Sequence, residues 1–246
     1  MAAHVHSSWS YDGSWTLEQI ARSFARRGYR AVLLSEHSQT FTAAKWAQYQ
    51  LACAEASRPN LLLVPGIEYS DVDNVLHIPV WGAEMPFLGQ CPEPRPLLEG
   101  VIDSAGVSVL AHPGRREAWR RVDPEWISLL SGIEIWNRKY DGWSPNSAAV
   151  DLVRDEKLSP FVTLDFHTRR QFFPLAMRAT VPDRVTPAAI YAALRQGECR
   201  PEMLRLPVSA FTSGPLALAA RSAELARGRT MAGLRAAIRR AGSVRR

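Results

Sequence analysis

Six histidines occur in the 246-residue chain: His4, His6, His37, His77, His112 and His167. Carboxylates accompany them. His4 and His6 stand one residue apart in AHVH, with Asp12 shortly after in SYDG. Glu36 directly precedes His37, Glu68 closes LLLVPGIE, and Asp165 stands two residues before His167 in LDFH. Every histidine lies within or at the end of a short apolar run. A lone histidine near a strand end is usually solvated or hydrogen-bonded. Six of six in such places, with none elsewhere, points instead to a shared rim. Imidazoles and carboxylates converging there suit Zn²⁺, Mn²⁺ or Fe²⁺.

Seven runs read as the strands that must position these groups: AHVH, RAVLLSEH, NLLLVPGIE, NVLHIPV, VSVLAHP, GIEIWN and FVTLDFH. Most are continuously apolar, the pattern of strands covered on both faces, as in parallel α/β sheets. Helical intervals alternate with them. Thr16 is a candidate N-cap for LEQIARSFARRG and Gly28 a candidate stop. Thr42 to Ala56 is rich in helix formers, the segment from Pro92 holds another helix, and Asn146 to Arg154 and Pro187 to Gln196 are shorter candidates. The class is therefore α/β, with a doubly wound sheet and a distorted seven-stranded barrel both open. On a regular strand residues i and i+2 share a face, so His4 with His6, and Asp165 with His167, are predicted to project together. Val5 and Phe166 would then face the covering helices.

Composition bounds the rest. Apolar residues are 46% and charged residues 22%, enough for a substantial core and against wholesale disorder. No run approaches about 18 consecutive apolar residues, and no basic-then-apolar leader opens the chain, so a cytoplasmic protein with no membrane partner is expected. Cys53, Cys91 and Cys199 are too sparse for a disulfide scaffold and fit a reducing compartment. The net charge of +6 resides mostly in the last segment, where Arg221 to Arg246 holds eight arginines and one glutamate. Nucleic-acid binding by the whole chain is therefore only weakly supported. Two helices are predicted in PLALAARSAELARG and TMAGLRAAIRRAG, within a basic Ala/Arg-rich segment spanning 201–246 that packs on or completes the main domain of 1–200. There is no glycine-rich phosphate loop, no GxSxG elbow, and no Ser-His-Asp order or activated cysteine.

Taken in order, these motifs resemble the polymerase-and-histidinol-phosphatase (PHP) family of metallohydrolases. The family carries an HxH near its start, matched by His4-Val5-His6, then a loop ligand, here Asp12. An acidic residue followed by His matches Glu36-His37, an isolated glutamate matches Glu68, and later histidines match His77 and His112. A closing DxH matches Asp165-Phe166-His167. The resemblance covers roughly residues 2 to 170 and implies a distorted (β/α)7 TIM-like barrel with two or three divalent ions, Mn, Zn or Fe. By the same resemblance His4, His6, Glu68 and Asp165 hold one ion. Glu68, His77 and His112 hold a second, and Asp12, His37 and His167 a third, making a trinuclear site. Glu134-x-x-Asn137 in GIEIWN resembles the branch near the CehA/McbA-type metallohydrolases.

The function so implied is hydrolysis of a small phosphomonoester, nucleotide or oligonucleotide end by metal-activated water, with no protein nucleophile. Arg115, Arg169, Arg170, Lys139, Tyr140 and Asn137 lie near the expected rim and are candidates to hold phosphate. Asn137 could equally cap its own loop. Glu36 and Glu134 are candidates to orient ligands from behind. Asp71 and Asp73 read as turn residues. Trp9, Trp15, Trp136 and Trp143 could stack on a base, and ordinary packing explains them as well. Two other readings remain: hydrolysis of a nonphosphate ester, amide or carbamate, and a noncatalytic metal-stabilised module that binds nucleic acid.

Overall fold

A computed structural model describes residues 1–83, 85–180 and 185–243. Its strands, in chain order, are β1 (Ala2–Val5), β2 (Ala31–Leu34), β3 (Glu36–His37), β4 (Leu62–Val64), β5 (Gly66–Ser70), β6 (His77–Trp81) and β7 (Val107–Leu110). They continue with β8 (Gly132–Asn137), β9 (Ser159–Thr163), β10 (Leu175–Arg178), β11 (Arg200–Met203) and β12 (Leu206–Pro207). The helices are α1 (Leu17–Ala25), α2 (Ala43–Ala56), α3 (Pro94–Asp103), α4 (Pro124–Ile127), α5 (Ser147–Glu156), α6 (Pro187–Arg195) and α7 (Gly214–Ser243).

Two of the predicted runs are each broken into a pair of strands. Ser35 separates β2 from β3 and donates its N–H to Val5 O at 2.9 Å. Pro65, which has no N–H to give a ladder, separates β4 from β5. These breaks sort the strands into sheets of order β1-β2-β4 and β3-β5-β6-β7-β8-β9. A third sheet, β10-β11-β12, is antiparallel and had no counterpart among the predicted runs. The fold is mixed α/β. Among the described residues the ladders do not join into one closed sheet. Further contacts link β1 to the segment after β9: Val5 bridges Phe166 in parallel, with Leu164 N donating to Ala3 O at 3.1 Å, Phe166 N to His4 O at 3.1 Å and His6 N to Phe166 O at 2.8 Å.

The all-parallel expectation fails at β6, which runs antiparallel to both β5 and β7. The link explains it. The chain from Asp71 to Leu76 is too short for a parallel crossover, which needs about a dozen residues or more. Asp71 closes the turn by accepting from Val75 N at 2.6 Å and Leu76 N at 3.1 Å. This confirms its turn role. The reversal places His77, first in β6, opposite Ser70 at the end of β5.

The helices begin where capping chemistry puts them. Thr16, Thr42, Asn146 and Thr186 each accept an N–H of the first turn of α1, α2, α5 and α6. Helix α7 differs from the sequence expectation. It is one 30-residue helix, continuous through Gly228. Val5 and Phe166 are fully buried, and Phe24 of α1 packs its ring on Phe166 at 5.4 Å. Phe166 thus faces the covering helix α1, as expected from sequence.

Candidate metal centre

Convergence of the histidines is not achieved by regular strand alternation. The β1–β2 register slips between Ala3 and Val5, and His4 occupies the slip with φ +58°. His112, just after β7, has φ +29°, and Asp165, just after β9, has φ +46°. A non-glycine residue held there costs about 1 kcal/mol or more, and such strain concentrates at functional sites. The bulge turns the His4 ring onto the same cavity as His6, with ring centroids 5.1 Å apart. Asp12 arrives on a loop that doubles back over Ser7. Gly13 permits this approach, since a Cβ there would lie 1.9 Å from Ser7 O.

Glu68 is the hub. Its Oε1 lies 2.8 Å from His77 Nδ1, 3.2 Å from His4 Nε2 and 3.3 Å from His112 Nε2. Its Oε2 lies 3.0 Å from His37 Nδ1 and 3.6 Å from His6 Nε2. Asp165 Oδ1 is 3.7 Å from His6 Nε2 and 3.3 Å from His167 Nδ1. Asp12 spans His37 Nε2 at 3.3 Å and His167 Nε2 at 3.0 Å. All nine residues are brought together, and all but Asp12 are buried. Three sets have ligand atoms close enough for one ion each: His6, Asp12, His37 and His167; His4, His6 and Asp165; and His4, Glu68 and His112. His77 stands outside these sets. Its Nε2 is engaged by Asn74 Oδ1 at 2.6 Å and Arg115 Nη1 at 3.2 Å, leaving Nδ1 toward Glu68.

The donor set fits divalent cations. His4 Nε2, His6 Nε2 and His112 Nδ1 are buried with no hydrogen-bond partner, a costly state that a metal would relieve. Burial works to raise the Glu68 carboxyl, yet His77 and His4 hold it well below the usual range. Burial also opposes protonation of His37, but Asp12 and Glu68 push it up to about 9. His6 is driven far down, by burial first and then by His167 and His37. The upward shifts of His4 and His37, made against burial, thus come from carboxylate charge, which a cation would also offset.

The orienting groups lie behind the ligands. Glu134, fully buried, pairs with His4 Nδ1 at 2.7 Å and accepts from His112 N and Asn137 Nδ2, each at 2.7 Å. His4 therefore presents Nε2 to the cavity. Glu36 acts through a serine: Ser10 Oγ donates to it at 2.5 Å and sits 3.3 Å from His6 Nδ1. Ser7 N, Ser7 Oγ and Tyr49 Oη also donate to Glu36. Ser7, Ser10 and Tyr49 escaped the sequence reading. The signal was the run of serines after HVH, Ser7, Ser8 and Ser10.

Among the residues proposed to hold phosphate, the structure discriminates. Arg115 reaches His77 and Asn74 O, and Lys139 Nζ lies 3.2 Å from Asp165 Oδ1 and 3.4 Å from His167 Nε2. The Tyr140 ring packs at a tilt against His112, with centroids 4.7 Å apart. Asn137 is fully buried and caps its own loop, accepting from Lys139 N and Tyr140 N. Arg169 and Arg170 lie exposed on a 3-10 turn and make no hydrogen bond or ion pair with the cluster among the described residues. The tryptophans are mostly structural: Trp136 is fully buried, Trp15 packs on Phe166 and Phe172, and Trp9 on Phe41 and Tyr49. Of these four, Trp143 alone is exposed. Tyr11, overlooked in the sequence, lies exposed over His37 at 4.9 Å.

Comparison with protein-family models gives no match, and comparison with curated proteins gives none either. Solved structures do resemble the chain. A two-domain protein from Bacteroides vulgatus, described as containing a predicted PHP-like metal-dependent phosphoesterase, superposes with a TM-score of 0.63 at 18% identity, over 82% of this chain and 64% of that one. PsfC from Pseudomonas syringae gives 0.59 at 13% identity, over 80% and 93%. The lesion-specific endonuclease EndoQ from Pyrococcus furiosus gives 0.58 at 15% identity, over 79% and 55%. At such identities the likeness speaks for the fold: the chain has the fold of structures named for PHP-like metal-dependent phosphoesterases.

Proposed function

We propose that the protein is a metal-dependent phosphoesterase of the PHP type, acting on a small phosphomonoester, a nucleotide or an oligonucleotide end. The observation that carries this reading is the Glu68 hub, one buried carboxylate facing five imidazoles, with unpartnered ring nitrogens around it. His4, His6, Glu68 and Asp165 would hold one divalent ion, Glu68, His77 and His112 a second, and Asp12, His37 and His167 a third. The Val5–Phe166 bridge supports reading the two larger sheets as one distorted seven-stranded barrel whose rim is this site.

Bound divalent ions supply Lewis acidity and lower the pKa of water toward neutrality. The chain's own residues do the rest. Arg115, now turned onto Asn74 O, has a planar fork suited to phosphate oxygens. Burial works to discharge Lys139, but Asp165 holds its ammonium charged above the usual lysine value, so Nζ offers a fixed positive donor at the rim. Exposed Tyr11 and Tyr140 border the site on the His37 and His112 sides and would shield it from bulk water.

The test is metal analysis of the purified protein joined to a phosphoester panel with Mn²⁺, Zn²⁺ or Fe²⁺ added. Metal-dependent turnover, with Arg115→Ala weakening phosphate substrates selectively, is the expected result. A protein that retains no divalent ion, or that binds one and cleaves no phosphoester, overturns the reading.

A further inference from the structure

Lys139 and Tyr140 belong to the loop leaving β8, and that loop is held from two sides. From below, Asn137 N donates to Asp141 Oδ2 at 2.7 Å, Asn146 Nδ2 to Asp141 Oδ1 at 3.1 Å, and Trp136 Nε1 to Gly142 O at 3.1 Å. From above, a contact arrives from a distant part of the chain. Trp143 N donates to Glu224 Oε2, on helix α7, at 2.9 Å. The same carboxylate is gripped one turn onward by Arg227, whose Nε lies 2.7 Å from Oε2 and whose Nη2 donates to Oε1.

The loop is shaped to receive this carboxylate. Gly142 has φ +70°, and a Cβ built there would lie 2.2 Å from Glu224 Oε2 and 2.7 Å from Arg227 Nη2. A Cβ there would push the Glu224 carboxylate and the Arg227 guanidinium aside. Glycine thus serves twice, for its backbone conformation and for the close approach of the Glu224 carboxylate. On the cavity side the same short loop puts Lys139 Nζ on Asp165 and His167 and the Tyr140 ring on His112. None of the nine candidate ligands touches α7 through this contact.

We propose that Glu224 is a positioning residue: with Arg227 it forms a clamp on α7 that fixes the Gly142–Trp143 turn, and thereby sets Lys139 and Tyr140 over the metal site. The basic C-terminal helix is then part of the active-site architecture. The turnover part of the test rests on the phosphoesterase reading, and the hydrogen-exchange part does not.

The experiment compares the full-length wild type with Glu224→Ala, Glu224→Gln and Gly142→Ala. It reads amide hydrogen exchange across 138–145, divalent metal content, and kcat and KM on p-nitrophenyl phosphate with Mn²⁺. Glu224→Ala should speed exchange at Trp143 about fivefold or more, the loss of one hydrogen bond, with exchange in β1 and β5 and metal content unchanged. Gly142→Ala should do the same from the other side of the contact. Glu224→Gln keeps an acceptor for Trp143 N and should recover most of the protection. Glu224→Ala should lower kcat/KM about 3–10-fold, and should add little to Lys139→Ala, since both act through one ammonium. Unchanged exchange in both Glu224→Ala and Gly142→Ala overturns the proposal. So does faster exchange with unchanged turnover in an active enzyme. A wild type that cleaves no phosphoester overturns the proposed function instead, and the exchange result still decides whether Glu224 holds the loop.

Discussion

His6 shows how much chemistry one position can concentrate. Its Nδ1 sits against Ser10, its Nε2 lacks a hydrogen-bond partner, and its ring stacks on His167 at 4.1 Å. It lies in two of the three candidate ion sets, so His6→Ala should lose bound metal and activity together while circular dichroism stays close to wild type. Full activity in a metal-stripped His6→Ala protein would refute the metal mechanism. Glu134→Gln tests the orienting layer. The amide oxygen would keep the bonds from His112 N and Asn137 Nδ2, and the N–H₂ would face His4 Nδ1, favouring the tautomer that carries its proton on Nε2. Metal affinity should fall about 10–100-fold, read by competition with a chelator. The nine candidate ligands were legible because histidine and carboxylate types are scarce and their order is distinctive. Ser7 and Ser10 were not, because serines in a loop acquire meaning only when a buried carboxylate finds them. Asn137 had two readings in sequence; the structure places it buried, with its Oδ1 capping its own loop.

At the scale of elements, capping residues foretold helix starts well because a cap is a local interaction between near neighbours. Strand direction was less legible. Continuous apolar runs imply burial on both faces but not polarity, and the short Asp71–Leu76 link was the overlooked clue to an antiparallel β6. The sheet of β10, β11 and β12 was missed because its strands are short and partly exposed, without a marked apolar run. The loop after β8 also carries a pH prediction. Burial, working against hydrogen bonds from Asn137 and Asn146, pushes the Asp141 carboxyl up to about 6. A raised carboxyl favours the protonated folded state. That contribution is fully present below the ordinary value of 3.8 and is lost as pH rises through about 6. Relative to Asp141→Asn, the wild type should lose on the order of 2–3 kcal/mol of unfolding free energy between pH 4 and pH 7, measured by urea titration. A flat difference across that range would rule out the effect.

For the whole molecule, the buried charge of the rim couples metal to stability. Ions that bind only the folded chain stabilise it by about 2.7 kcal/mol at a hundredfold excess over Kd. For a chain of this size, adding Mn²⁺ to stripped protein should raise Tm by roughly 5–10 °C. No such rise would mean that the cluster does not hold the ion tightly. The length of α7 was misjudged in sequence because Gly228 looks like a stop, whereas a single glycine costs a helix interior only about 1 kcal/mol. The Val5–Phe166 bridge has a consequence for how the protein is made. The first strand is synthesised long before Phe166, with which its Val5 pairs. Until then β1 waits with an open edge, and the cavity lacks Asp165 and His167. Such long-range pairing is slow to form and leaves the nascent chain open to aggregation. Premature release of the chain before residue 166 would yield a product with most of its histidines and no means of assembling them.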